Sequence, residues 1–231
     1  FLATGHYARI ERDERDGTFH LARALDQNKD QSYFLFTLTQ KELRHLMFPL
    51  GSLRKAAVRE IARRLNLNVA SKPESMGVCF ISGEGYRDFL EDHLKRGKER
   101  GAVVDEDGNK LAEHNGIASF TVGQRRGLGI ATGKPMYVTR IEPEGKEVYV
   151  GEEGRLFRST LVADNVSWVG EVPGDTLYVK AKIRYRHPAN ESILRIRADN
   201  RVLVEFKEPQ RAITPGQAVV FYKDERVLGG G

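Results

Sequence analysis

The chain has 231 residues, of which 40% are hydrophobic and 30% charged, and its 37 basic and 32 acidic residues give a formal net charge of +5. This composition is typical of a folded globular protein with one large domain or two to three small ones. No apolar run approaches the roughly 18 residues that a membrane-spanning helix needs, and the N-terminus lacks a signal-peptide pattern. A single cysteine excludes an internal disulfide and fits a reducing compartment, so we expect a cytoplasmic protein that binds no membrane. The modest positive charge permits a polyanionic partner without demonstrating one.

Residues 1–83 alternate strand and helix patterns, which indicates part of an α/β domain. Gly5, near the end of the first strand, allows a ligand to approach the backbone closely, as at the carboxyl ends of strands that bind nucleotides. Thr39 and Glu42 have the spacing of a capping box and predict that a helix begins there. The other elements predicted in this part are strands over 1–7 and 18–24 and a helix over 54–65.

Beyond residue 84 one more helix is predicted, over 85–95, and the pattern then changes to short strands separated by turn residues. Two hairpins are predicted, and later strands at even spacing suggest a barrel of about six strands. The hairpin strands cover 102–105 with 110–113 and 136–142 with 146–150, and the barrel strands cover 160–169, 176–186, 192–198, 201–207 and 218–223. We therefore divide the chain into domains at 1–83, 84–152 and 153–231.

The predicted strand over 176–186 has a basic face. Apolar residues alternate along it with Tyr178, Lys180, Lys182, Arg184 and Arg186. Cations at every second position can follow the phosphates of a nucleic acid. The same alternation is typical of a sheet with one face in solvent, and the residues alone leave both interpretations open.

Cys79, the only cysteine, stands in a short apolar run after a polar segment that contains proline and glycine. It is either a core residue, as free cysteines often are, or a reactive thiol near the start of a strand. The histidines are scattered and no second cysteine is present, so we expect no metal site. The glycine-rich stretch 123–129 offers backbone N–H groups and the donors of Gln124, Arg125 and Arg126, which suits an RNA backbone or a domain junction.

Five short motifs follow one another along the chain. They are Thr-Gly-His-Tyr-Ala-Arg at 4–9, Asn-Lys-Asp-Gln-Ser-Tyr-Phe-Leu at 28–35, the segment around Cys79 at 71–83, Thr-Val-Gly-Gln-Arg-Arg-Gly-Leu-Gly-Ile at 121–130 and Thr-Pro-Gly-Gln at 214–217. In these residues and in their order the chain resembles the MnmA/TrmU family of tRNA-specific 2-thiouridylases. The resemblance implies three parts: an α/β remnant of an ATP-pyrophosphatase (adenine nucleotide alpha hydrolase-like) domain, a small mostly-β central domain, and a C-terminal β-barrel that binds tRNA.

The activity that the resemblance implies is ATP-dependent transfer of sulfur to C2 of the wobble uridine of tRNA. The family activates the C2 oxygen by adenylation. Cys79 matches the cysteine that takes sulfur as a persulfide from a sulfur-carrier protein or a cysteine desulfurase, and a second cysteine, upstream in the family, takes part in the transfer. Such a role requires an accessible thiol that can ionise.

The same resemblance assigns binding residues. Gly5 matches a residue that lines the site of ATP, the expected co-substrate. The residues that match tRNA-binding positions are His6, Lys29, Asp30, Gln31, Arg184, Tyr185 and Gln217. The family's Ser-Gly-Gly-x-Asp-Ser phosphate loop does not occur in these 231 residues, so we expect a piece of a longer, monomeric enzyme that is inactive by itself. The competing hypothesis is a non-catalytic RNA-binding module with a structural cysteine, and slow alkylation of the thiol in the folded protein would favour it.

Overall fold

The computed structural model describes residues 1–71, 99–172, 174–197 and 199–231. The chain forms two compact units. Unit 1 consists of Phe1–Lys72, Ser159–Pro209 and Pro215–Gly231, and unit 2 consists of Pro73–Arg158 and Gln210–Thr214. The predicted helix over 85–95 and the predicted strand start at Cys79 lie outside the described residues.

The first part of unit 1 contains short strands and two helices. They are β1 (Leu2–Ala3), β2 (Ala8–Arg12), β3 (Phe19–Arg23), α1 (Gln40–Leu43), β4 (Leu46–Met47) and α2 (Lys55–Arg64). The capping box at the start of α1 is confirmed, because the Thr39 backbone N–H donates to Glu42 Oε2 at 2.9 Å. The helix predicted over 54–65 is confirmed as α2. β1 and β4 pair in parallel, which agrees with the α/β character predicted for this part.

Unit 2 is built around a four-stranded sheet. Its strands are β5 (Gly101–Val104), β6 (Lys110–His114), β7 (Tyr137–Glu142) and β8 (Glu147–Gly151), in the order β6-β5-β8-β7. Both predicted hairpins are confirmed as antiparallel pairs, β5 with β6 and β7 with β8. The two hairpins join through parallel pairing of β5 with β8. Val103, Val138 and Val148 are fully buried in the core of this sheet.

The later strands form one sheet with the N-terminal hairpin. They are β9 (Phe157–Ala163), β10 (Ser167–Trp168), β11 (Thr176–Lys182), β12 (Asn190–Ile196), β13 (Val202–Arg211), β14 (Val220–Lys223) and β15 (Arg226–Gly230). The sheet order is β2-β3-β15-β14-β11-β12-β13-β9, with β10 on β15. Because β3 pairs with β15, residues near the two ends of the chain share one core, in which Leu21, Tyr33, Val220 and Tyr222 are buried. The sequence analysis did not predict this pairing or the strand β15.

Several predicted strands were wrong in extent. The strand over 1–7 is limited to β1, and the strand over 201–207 continues to Arg211 in β13. Two others differ in a way that matters for the predicted basic face or for the sheet. The strand over 176–186 stops at Lys182, because the chain then turns and the His187 backbone N–H donates to the carbonyl of Arg184 at 3.1 Å. The cations therefore do not form one straight row along a strand. The strand over 160–169 is two strands, β9 and β10, interrupted where Asn165 adopts a φ of 50°. The predicted alternation within β11 is confirmed, since Val179 and Ala181 are buried and Lys180 is exposed.

Candidate nucleic-acid interface

The predicted binding residue Asp30 is buried, and its carboxylate organises the loop that carries it. The side chain is 4% exposed. Oδ1 accepts hydrogen bonds from the backbone N–H groups of Ala24 at 3.0 Å and Ser32 at 3.2 Å, and Oδ2 accepts one from Ser32 Oγ at 2.9 Å. The Tyr222 hydroxyl lies 3.2 Å from Ser32 Oγ. Because the Ser32 hydroxyl hydrogen is already donated to Asp30, Tyr222 is the donor to Ser32 Oγ. Burial raises the pKa of Tyr222, which keeps this hydroxyl protonated.

Gln31 ties the same loop to the end of the first motif. Its backbone N–H donates to the Tyr7 carbonyl at 2.8 Å, and its side-chain Oε1 accepts from the Tyr7 backbone N–H at 2.9 Å. The Gln31 side-chain oxygen thus accepts the Tyr7 hydrogen bond that a backbone carbonyl would accept in a regular strand pair. His6 lies directly before Tyr7, with its Nδ1 2.9 Å from Thr4 Oγ1 and its ring edge-on to Phe48.

Gly5 follows the parallel pair β1–β4 at the carboxyl end of its strand. The Thr4 backbone N–H extends the pairing by donating to the Met47 carbonyl at 3.0 Å, and Gly5 beyond it is exposed. A Cβ at Gly5 would meet only Leu50 Cδ1, at 3.8 Å, which is ordinary van der Waals contact. Packing within the described residues therefore does not require glycine here. The position agrees with the rule that ligands bind at the carboxyl ends of parallel strands.

Arg184, Tyr185 and Gln217 come together although more than 30 residues of chain separate the first from the last. Arg184 Nε donates to Gln217 Oε1 at 3.2 Å. The Tyr185 ring lies 4.5 Å from the Phe34 ring, centroid to centroid, with 37° between the planes. Phe34 and the buried Tyr33 belong to a 3₁₀ turn, Ser32–Leu35, that begins directly after Gln31. The two groups of predicted tRNA-binding residues thus meet through this turn.

Lys182 brings a cation to the same cluster. Its Nζ lies 5.7 Å from the Tyr185 ring centroid and 5.9 Å from that of Tyr33, within the range of cation–π attraction. Burial lowers the pKa of this lysine, the nearby charge of Arg23 lowers it further, and the Asp30 carboxylate opposes both effects. A polyanion that approached Lys182 would favour its charged form.

Lys29 stands at the edge of this loop, where its backbone N–H donates to the Asp26 carbonyl at 2.9 Å and its side chain is partly exposed. Cys79 lies outside the described residues, so the structure does not relate it to the other predicted residues. Sequence reasoning missed Phe34, which is 56% exposed at the centre of the cluster. The sequence feature that could have indicated Phe34 is the aromatic pair Tyr33-Phe34, which follows the polar residues 28–32.

The glycine-rich stretch of unit 2 is held partly by its own side chains. Gln124 Nε2 donates to the Arg126 carbonyl at 2.9 Å, and Gln124 Oε1 accepts from the Thr121 backbone N–H at 3.0 Å. One of the two N–H donors of Gln124 Nε2 is therefore used within the stretch, and contact of this stretch with an RNA backbone stays a prediction. Arg125 and the exposed glycines after it line an open cavity of about 530 Å³.

Another cavity, of about 680 Å³, lies against the sheet of unit 1. Tyr178 and Lys180 of the predicted basic face line it, but none of the residues that match tRNA-binding positions of the family does. Its charged rim consists of Lys180, Lys207, Lys223, Glu191, Glu205 and Asp224. Because these are three cations and three carboxylates, the cavity offers no excess positive charge to a polyanion. Within residues 1–71, 99–172, 174–197 and 199–231 no cluster of His, Cys, Asp and Glu side chains has metal-binding geometry. In the same part of the chain no helix has both the length and the apolar character for crossing a membrane.

Three family models together match nearly the whole chain. A tRNA methyl transferase HUP domain matches residues 1–83, a tRNA methyl transferase PRC-barrel domain matches 87–152, and an aminomethyltransferase beta-barrel domain matches 158–231. The fold class expected from the sequence, an α/β part followed by two mostly-β parts, is thereby confirmed.

Curated relatives match the chain from end to end. A protein of Geobacter metallireducens named tRNA-specific 2-thiouridylase MnmA is 50% identical over 230 residues, which are 100% of this chain and 62% of the relative. Proteins of the same name from Syntrophotalea carbinolica and Carboxydothermus hydrogenoformans are 47% and 45% identical, again over 100% of this chain. The chain spans 65% of the former and 64% of the latter, so about a third of each relative's length lies outside the part that these residues cover.

Proposed function

Because the chain belongs to the MnmA/TrmU family, we propose that it serves in ATP-dependent transfer of sulfur to C2 of the wobble uridine of tRNA. In this proposal the 231 residues hold the tRNA and supply the sulfur-accepting thiol. The partners are tRNA and a sulfur-carrier protein or cysteine desulfurase, and the reaction takes place in the cytoplasm. The relatives, which bear the name of this activity, support it.

The observation that carries tRNA binding is the cluster around the turn Ser32–Leu35. Residues from separate motifs meet there: Arg184 is fixed by Gln217, and Tyr185 packs on Phe34. Arginine and lysine side chains contact RNA phosphates, and aromatic rings contact bases that are not paired. We therefore assign direct contacts with tRNA to Arg184, Tyr185 and Gln217.

Asp30 and Gln31 have a different part in this proposal. Both side chains are used within the chain, Asp30 on Ser32 and Ala24, and Gln31 on Tyr7. Their function is to position the loop, so that Lys29, His6 and the following turn present a defined surface. Gly5, next to His6, then brings ATP near the same surface from the carboxyl end of β1.

The sulfur chemistry falls to Cys79. The C2 oxygen of uridine is a poor leaving group. Adenylation by ATP attaches an AMP group to this oxygen and releases pyrophosphate, so that AMP becomes the leaving group. The outer sulfur of the Cys79 persulfide then forms the new bond to C2 as the bond from C2 to the AMP oxygen breaks. The thiol of the second, upstream cysteine attacks Cys79 Sγ, so the sulfur–sulfur bond breaks, the sulfur stays on C2, and the two cysteines are left oxidised as a disulfide that an external thiol must reduce. We assign adenylation to the whole enzyme, since the sequence of these residues contains no Ser-Gly-Gly-x-Asp-Ser loop.

A tRNA-binding titration, run beside an assay of pyrophosphate release from ATP, tests whether these residues bind tRNA without carrying out adenylation. The 231-residue protein should retain tRNA on a filter with an affinity that falls as salt rises, because phosphate contacts release counterions. It should release no pyrophosphate from ATP in the presence of tRNA and a persulfide donor. Pyrophosphate release by this chain would contradict the assignment of adenylation, and no retention of tRNA would contradict the interface.

A further inference from the structure

Phe34 is a large apolar side chain left in solvent at the middle of a cationic cluster. It is 56% exposed, whereas Ser32 and Tyr33, which precede it, are buried. Its ring and that of Tyr185 are 4.5 Å apart, centroid to centroid, with 37° between the two planes, which is a tilted aromatic contact. The exposed fraction leaves ring surface available to a further planar group.

The Phe34 ring is held in place by its contact with the buried Tyr33. Tyr33 meets Phe34 edge-on, with 5.4 Å between centroids and 85° between planes, and its hydroxyl donates to the Ala218 carbonyl at 2.7 Å. The start of the turn is fixed by the buried Asp30 carboxylate. A surface whose side chains are already ordered loses little conformational entropy when it binds a ligand.

The charges around the rings select the class of ligand. Lys182 Nζ is 5.7 Å from the Tyr185 centroid, and Arg184 beside it is oriented by Gln217. The cores of protein–protein interfaces are depleted of charge, whereas grooves for single-stranded nucleic acid combine cations for the backbone with aromatic rings for the bases. Bases inside a duplex are already stacked, so only an unpaired base has a face to offer.

We infer that Phe34, backed by Tyr185, is a stacking platform for an unpaired nucleobase of tRNA. The inference rests on the proposed tRNA binding and adds a recognition residue to it. Phe34 contacts the base face, Lys182 and Arg184 neutralise the adjoining phosphates, and Tyr33 keeps the platform in place. Because every base has such a face, the platform recognises unpaired structure more than sequence.

The test uses four variants of the 231-residue protein in filter binding with tRNA and with a fully paired RNA duplex. Phe34→Ala should weaken tRNA binding about tenfold, since base stacking on an aromatic ring is worth this order of affinity. Phe34→Leu should show a similar loss, and Phe34→Trp should bind as well as the original. Phe157→Ala is the matched control, because Phe157 is also exposed, at 41%, but has no place in the cluster. The duplex should show no effect of any variant.

The salt slope and fluorescence give independent readouts. Phe34→Ala should leave the slope of log affinity against log salt unchanged, since no phosphate contact is lost. The added tryptophan in Phe34→Trp should be quenched by tRNA beyond the change seen for Trp168 in the original protein. If Phe34→Ala and Phe34→Leu bind tRNA as the original does, or Phe34→Leu restores what alanine loses, stacking is refuted while tRNA binding stands. If the original protein binds no tRNA, the proposed function itself fails.

Discussion

Replacing Asp30 with alanine tests whether this residue positions the loop. The substitution removes the acceptor for the backbone N–H groups of Ala24 and Ser32, and both residues are 0% exposed. Each buried donor left without a partner costs about 1–3 kcal/mol. The Ser32 hydroxyl keeps Tyr222 as a partner, and water can enter part of the vacated space, so we expect a loss of about 2–4 kcal/mol in the free energy of unfolding. Asp30→Asn retains one carbonyl oxygen and should lose about half as much.

Urea unfolding followed by Trp168 fluorescence measures this loss, because the single tryptophan of the chain lies in unit 1 with Asp30. Asp199→Ala is the control, since the Asp199 carboxylate pairs with Arg201 at an exposed site and its removal should change stability by less than about 0.5 kcal/mol. An Asp30→Ala protein as stable as the control would refute the reasoning. The salt slope of tRNA binding should be the same for Asp30→Asn and the original, because we assign no phosphate contact to this carboxylate.

Two further predictions concern the cations of the interface. Arg184→Ala should weaken tRNA binding and flatten the salt slope by about one unit, because a phosphate contact is lost. Arg201→Ala removes a cation that is already paired with Asp199, and it should leave the slope unchanged. Equal slopes for the two variants would contradict the phosphate contact of Arg184. The pKa of Lys182 is lower in the folded protein than in the unfolded chain. As the pH rises, the folded protein therefore loses the Lys182 proton at a lower pH than the unfolded chain does. The stability of the original protein should therefore increase relative to Lys182→Met as the pH rises toward the ordinary lysine value of 10.5, and a constant difference would contradict this.

Local patterns predicted the local structure well. The capping box of Thr39 and Glu42, the hairpins of unit 2 and the alternation of β11 depend on neighbours in sequence, and all were confirmed. The pairing of β3 with β15 joins segments about 200 residues apart, and neither strand carries a pattern that selects the other. β15 was also missed because glycines at its end are unusual in strands.

The assignment of residues to tRNA binding stays a prediction, and the structure adds how their side chains are used within the chain. The loop that contains Asp30 is rich in polar residues, and such composition suggests a fully solvated turn. Which carboxylate turns inward depends on Ser32 and Tyr222, and Tyr222 is contributed by a distant strand. Phe34 was overlooked for the opposite reason: an apolar residue beside Tyr33 is expected in the core, and its exposure is evident only once Tyr185 is seen to cover one part of it.

The measurement that tests the central claim most directly is the 2-thiouridine content of tRNA after reaction with the complete enzyme that contains this chain, with Cys79 intact or replaced by serine. Filter binding of tRNA by both forms provides the control for folding. We predict that Cys79→Ser abolishes 2-thiouridine formation and leaves tRNA affinity within about twofold, because the thiolate is the group that carries sulfur. Thiolation by Cys79→Ser at a rate comparable to that of the intact enzyme would contradict the account.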